Sequence, residues 1–328
     1  MRAQTLHCVA LDSQSAAPFV YGCASLHKRH ITLSACAAGV KFLKEFCLKT
    51  VLVIDESGAK GFSKKGERYK GEVGLMSGYI FPEESLPYMR DFTSNLFSNI
   101  SSDGKLHLTD LTSEQQEKAR SIVYDLFLSN STCWFFEAIS VEGFFQSVHD
   151  KDRSGSGVNE LLHAKLFAGI FSKAIDRLKV SNPSSIHISV ITDTISETTK
   201  KQFQSEVASY IELSAGNNVK GSFTSYDRDT NIVTKFETES SVTFSEANVL
   251  EILELEIKCE DTPLTFIADI LANSAYYHVK NNLSKDPMIK PNSSSSIKGH
   301  PLSDLAHGAY NSDAVDVGSF SDLVYRRD

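Results

Sequence analysis

The sequence predicts an α/β domain with a mixed central sheet flanked by helices, over about residues 51–282. Three observations predict it. Strand-like and helix-like stretches alternate along this span, the order that builds a sheet covered by helices. Val51-Leu52-Val53-Ile54 is an unbroken, β-branched apolar run, which suits a central strand buried on both faces. The first two strands are joined by a glycine-containing loop, which points to a mixed sheet.

The elements follow in order. Val51 to Ile54 runs into Asp55-Glu56-Ser57-Gly58, and Gly58 and Gly61 break the strand. Gly74 to Phe81 reads as a second strand ended by Pro82. Glu83 and Glu84 start a helix to about Phe97, since acidic residues suit a helix N-terminus. Lys105 to Leu111 is a short segment. Thr112 or Ser113 caps a helix to about Leu128. Thr132 to Val141 is rich in aromatic and β-branched residues and reads as a strand. A loop follows over 151–157. Leu161, Leu162, Leu166, Ile170, Ile175 and Leu178 have the spacing of one helix face. Ser185 to Thr192 alternates and predicts a strand ending at Asp193. A helix over Ser196–Leu213 and a strand over Val219–Tyr226 come next. Residues 227–260 fit either kind of element. Thr262 to about Val279 is a strong helix.

The flanks lack such patterning. Residues 1–48 read either as a loosely attached extension or as residues preceding a later start near Val51. Leu33-Ser34-Ala35-Cys36 has the outline of a lipoprotein cleavage box but lacks the apolar stretch before it. Residues 49–282 form the domain. Residues 283–328 are expected to be linker and tail, because Ser284 to Gly299 carries four consecutive serines, Ser293 to Ser296, and two prolines.

Composition excludes several classes. The 328 residues are 41% hydrophobic and 23% charged, enough for an ordinary packed core. The net charge of −8 gives no global basic field, so a nucleic-acid substrate would need a local basic patch or metal ions. The six cysteines form no Cys-x-x-Cys pair, against a zinc ribbon. A disulfide framework is uneconomical for a chain of this length, and a reducing, cytoplasmic setting is expected. No stretch approaches the roughly 18 apolar residues of a membrane helix, so no membrane partner is expected.

Chemistry concentrates at three aspartates. Asp55 and Glu56 sit where a buried strand ends, and ligands of α/β sheets gather at strand ends. Alone they are equally well a solvated turn. Asp193 also ends a strand, where an aspartate more often caps the next helix. Asp269 lies in a mostly apolar helix and shares a stripe with Asn273 at i+4 and Tyr276 at i+7. His107 and Asp110 form a weaker group, because a lone histidine in such a segment is more often structural. Glu160 and His163, at i and i+3, read as an exposed ion-pairing face, although Glu-x-x-His can help to hold a metal. If the three aspartates converge, their repulsion would be relieved by Mg²⁺ or Mn²⁺, which prefer oxygen ligands.

The ordered set Asp55-Glu56-Ser57-Gly58, Leu106-His107-Leu108-Thr109-Asp110-Leu111, Val190-Ile191-Thr192-Asp193 and Ala268-Asp269-Ile270-Leu271-Ala272 resembles a large prokaryotic and phage family, domain of unknown function 3800. The resemblance spans about 51–282. It implies an RNase-H-like core and an acidic metal site formed by Asp55, Asp193 and Asp269. Glu56, His107, Asp110 and Asn273 are secondary candidates. RNase-H-like enzymes usually carry a further carboxylate on an early helix, and Glu160 is the positional candidate for it. Two functions fit these expectations. One is a Mg²⁺- or Mn²⁺-dependent nuclease or phosphodiesterase acting on nucleic acid. The other is a non-catalytic RNase-H-like binding module, an accessory component of a defence or mobile-element system.

Overall fold

The structure is a computed structural model. It describes residues 47–60, 66–100, 107–149, 161–181, 183, 185–214, 219–227, 232–240, 252–309 and 319–325. The chain divides into Met1–Leu43 and Lys44–Asp328, and every described residue belongs to the second unit. The lipoprotein-like box at residues 33–36, the loop over 151–157 and Glu160 lie outside the described residues.

The sheet is mixed and RNase-H-like. Strand β1 (Cys47–Gly58) is followed by β2 (Val73–Pro82) and β3 (Trp134–Ser140), each antiparallel to the one before. Strands β4 (Ser185–Thr192) and β7 (Ile252–Cys259) add in parallel on the other side of β1. A two-residue strand β8 (Ala306–His307) closes the far edge, giving the order β7-β4-β1-β2-β3-β8. Strands β5 (Val219–Asp227) and β6 (Ile232–Ser240) form a separate antiparallel pair. The expected strand over 219–226 is therefore present but outside the main sheet. The stretch that fits either element supplies the edge strand β7.

Two cores follow from the alternation of side chains along a strand. Val51 and Val53 of β1 face one core, which contains α6 (Pro263–Lys285) and parts of α1 (Leu86–Phe97) and α2 (Ser113–Asn130). Leu52 and Ile54 face the other, built on α4 (Leu162–Lys179) with Phe203 and Val207 of α5 (Glu197–Ser214). Burial on both faces explains why the central strand reads as a continuous apolar run. The short α3 (Val141–His149) follows β3 directly. Helix α2 starts as the sequence predicts: Thr112 Oγ1 accepts from Gln115 N, and the Gln115 side chain accepts from Thr112 N.

The segment expected to be a linker is packed into the fold. Helix α6 continues to Lys285, and residues 286–305 run mostly in turns beside β3 before β8 pairs with it. Ile297 and Leu302 are fully buried, and Trp134 Nε1 donates to Leu302 O at 2.8 Å. The serines that suggested a linker satisfy turn carbonyls instead: Ser293 Oγ donates to Lys290 O at 2.7 Å and Ser296 Oγ to Pro291 O at 2.6 Å.

Asn292 is the anchor of this segment. Its Oδ1 accepts from Ala138 N at 2.8 Å, and its Nδ2 donates to Glu137 Oε1 at 3.2 Å and Ala138 O at 3.0 Å. Buried Lys173 pairs with Glu137 at 2.8 Å. The short C-terminal helix α7 (Phe320–Val324) joins through Asp322, whose Oδ1 accepts from Asn292 N at 3.2 Å. A buried ion pair with each polar atom engaged holds the C-terminal segment on β3.

Candidate acidic site

The register of the sheet brings the first two aspartates together. Ile54 of β1 pairs with Thr192 of β4, so Asp55 and Asp193 come next on parallel neighbours, about 5 Å apart between strand axes. Asp55 shares the face of Val51 and Val53, which is the face that α6 covers. Asp269 of α6 therefore approaches from above. Burial is the main reason that the Asp55 carboxyl is pushed up to about 9, followed by the charges of Glu56 and Asp269, with Asp193 adding to them. Asp55 Oδ1 accepts from Glu56 N at 2.9 Å, which opposes that rise.

Asp269 is held in place. Its Oδ2 accepts from Leu108 N at 2.8 Å, in the 3-10 turn Leu108–Asp110. Burial raises its pKa, while the Leu108 hydrogen bond and the neighbouring His107 lower it. The same turn brings His107 Nε2 to 3.9 Å from Asp193 Oδ2. Asp193 in turn accepts from Thr194 N at 2.6 Å and does not cap α5, where Ser196 Oγ accepts from Thr199 N at 3.1 Å. The histidine read from sequence as structural thus faces two of the three aspartates. Asp110 ends the turn with an exposed side chain.

Glu56 takes the opposite face, as the two-residue period requires. It meets His163 in the first turn of α4, with Nε2 at 3.4 Å from Glu56 Oε2, and it pairs with Lys60. Burial would raise the Glu56 carboxyl, but His163 and Lys60 together bring it down to about 2. The exposed ion-pairing face expected around His163 is not what forms. His163 is 7% exposed and stands edge-on to Phe203 at 5.0 Å, with its Nε2 in ion-pair reach of Glu56 but without hydrogen-bond geometry. The amphipathic period of α4 placed position 163 on the apolar face, beside Leu162 and Leu166.

The stripe Asp269, Asn273, Tyr276 does not act as one group. Asn273 Oδ1 accepts from Arg120 of α2 at 3.1 Å, and Tyr276 Oη meets Tyr69 Oη at 2.7 Å. Gly58 explains its own identity here. Its φ is +81°, and a Cβ would lie 2.4 Å from the Tyr276 ring and 2.6 Å from Val73 O.

Among the described residues, no three His, Cys, Asp or Glu side chains stand close enough together to form a ready-made metal shell. The charges of Asp55, Asp193, Asp269 and Glu56 nevertheless act on one another across the end of β1. No helix among the described residues is long and apolar enough to cross a membrane, and the three described cysteines are free thiols. No protein-family model matches the chain, and no curated protein matches it.

Proposed function

We propose that the chain is a divalent-metal-dependent nuclease or phosphodiesterase of RNase-H-like type, acting on nucleic acid. One observation carries this reading. Asp55, in the C-terminal part of β1, is a buried carboxyl that the parallel register sets beside Asp193 and that α6 covers with Asp269; burial, then the neighbouring charges, pushes it up to about 9. A buried carboxyl with further carboxylates around it gains from a cation, which offsets both the lost hydration and the repulsion. The donors are oxygens only, which suits Mg²⁺ or Mn²⁺, and Asp55, Asp193 and Asp269 would hold the ion. When bound, the ion supplies an acidified water and neutralises charge on a phosphodiester.

The remaining roles belong to the chain. Asp55 would give up its proton to solvent on holding the ion. His107, within 3.9 Å of Asp193, takes up or hands on a proton at Nε2. Glu56 stays ionised on the far face, held there by His163 and Lys60. The resemblance to domain of unknown function 3800 and a cytoplasmic setting belong to the same reading. The non-catalytic module, an accessory of a defence or mobile-element system, is favoured by the absence of three convergent donors among the described residues.

The test is Mn²⁺ titration calorimetry with a cleavage assay on labelled DNA and RNA. Wild-type protein is expected to bind Mn²⁺ and to cleave, and Asp55→Asn to abolish cleavage. Unchanged Mn²⁺ binding after Asp55, Asp193 and Asp269 are all replaced by Asn would sink the reading. Binding without turnover by the wild type would leave the non-catalytic module.

A further inference from the structure

We infer that an aromatic and basic platform beside the acidic site binds single-stranded nucleic acid. The inference rests on reading the acidic site as one that acts on phosphodiesters, and it names the form of the substrate. The platform is built from the loop after β1 and the second half of α6. Tyr69 and Tyr276 join through their hydroxyls at 2.7 Å. Lys280 Nζ lies 5.0 Å from the Tyr69 ring centre and 5.9 Å from that of Tyr276. Tyr277, 62% exposed, is three residues before Lys280 and so neighbours it on the helix surface.

Residues 68–72 are held by their own hydrogen bonds. Buried Glu72 accepts from Arg68 N at 2.7 Å and from Arg68 Nε at 2.7 Å, while the Arg68 side chain stays 75% exposed. Lys70 is exposed beside it. Among the described residues around the tyrosines, Arg68, Lys70 and Lys280 present exposed cationic side chains, in a chain whose net charge is −8. This is the local basic patch that an acidic protein needs in order to hold a polyanion.

Position ties the platform to the carboxylates. Tyr276 packs on Gly58, three residues beyond Asp55. It is also two helical turns from Asp269, about 10 Å along the axis of α6. At about 3.4 Å per stacked nucleotide, that is a reach of roughly three nucleotides. Exposed tyrosine rings offer faces for bases of any sequence, and Arg68, Lys70 and Lys280 offer charge for phosphates. A duplex hides its base faces and would gain only the charge contacts, so the platform selects single strands.

Fluorescence anisotropy of the full chain in EDTA tests this without cleavage. The probes are oligothymidylate and oligouridylate of about 12 nucleotides, with a hairpin duplex for comparison. Tighter binding of the single strands is expected. Tyr277→Ala is expected to weaken it about tenfold, while Tyr277→Phe, which keeps the ring face, retains it. Lys280→Gln should lower the salt slope by about 0.7. Thermal melts check that each variant is folded, and exposure of both side chains favours that. Equal affinity for single strand and duplex, or unchanged single-strand binding in Tyr277→Ala and Lys280→Gln, overturns the platform. Because binding is read without metal, loss of affinity in these variants supports the platform even if the wild type never cleaves. Cleavage by the wild type with unaltered binding in the variants overturns the platform alone.

Discussion

Replacing Asp55 with Asn should stabilise the metal-free protein, and the gain should grow with pH. Asp55 has an ordinary pKa of 3.8, and burial with the adjoining acids pushes it up to about 9 in the fold. Below pH 3.8 it is protonated in both folded and unfolded chains, so it has no effect on the balance. Between 3.8 and 9 the unfolded chain ionises while the folded one keeps its proton, so stability falls as pH rises. At pH 7 the ceiling of this penalty is about 4 kcal/mol, at 1.36 kcal/mol per pH unit. Relaxation of the neighbouring carboxylates would cut that to about 2 kcal/mol, and at roughly 2–4 °C per kcal/mol the midpoint should rise by about 4–8 °C. Asparagine removes the penalty because it cannot ionise, and its Oδ1 can still accept from Glu56 N. Glu56 works in the other direction: its stabilising pairs persist above pH 4.5 and are lost as pH falls toward about 2, mostly below the window that Asp55 controls. The assay is calorimetric melting in EDTA from pH 4 to pH 8, for wild type and Asp55→Asn. A gain near zero at pH 4 that opens toward pH 8 is expected; a parallel scan with Mn²⁺ in place of EDTA should raise the wild-type midpoint and leave that of the variant unchanged. A variant that is no more stable than wild type at pH 8, or one with the same gain at every pH, would show the reasoning to be wrong.

Other perturbations probe what positions the site. Gly58→Ala should lower stability by about 2–3 kcal/mol, since it combines a left-handed φ with a Cβ that meets Tyr276 and Val73 O; chemical denaturation measures it, and a cost below half a kcal/mol would contradict the close approach. Lys173→Met should cost about 3–5 kcal/mol by leaving Glu137 buried without its partner, whereas joint Lys173→Met and Glu137→Leu should recover much of that; denaturation of both variants decides, and equal losses would refute the pairing.

Much of the fold was legible because local chemistry and tertiary role agree in this chain. The run Val51 to Ile54 is apolar at every position because both faces of β1 are covered, and Ser185 to Thr192 reads as a strand over its observed bounds. Edge strand β7 was harder. It alternates exposed Glu254 and Glu256 with Leu255 and Ile257, a pattern too short and too charged to separate from a helix by period alone. The serine-rich stretch after α6 misled for a related reason. Composition counts hydroxyls, but only the packed structure assigns them to turn carbonyls around Asn292 and Leu302.

The acidic site divides in the same way. Sequence by itself determined that Asp193 follows a strand and that Glu56 must turn away from Asp55, because a strand alternates its side chains whatever surrounds it, whereas β1 continues past the expected end at Asp55 to Gly58 by pairing with β2. Only the tertiary structure decided which charges meet. The parallel register of β1 and β4 sets Asp55 beside Asp193, the packing of α6 brings Asp269 over both, and α4 carries buried His163 to Glu56. Those encounters depend on long-range pairing between elements more than a hundred residues apart, and no local period records which helix will cover which face of a sheet.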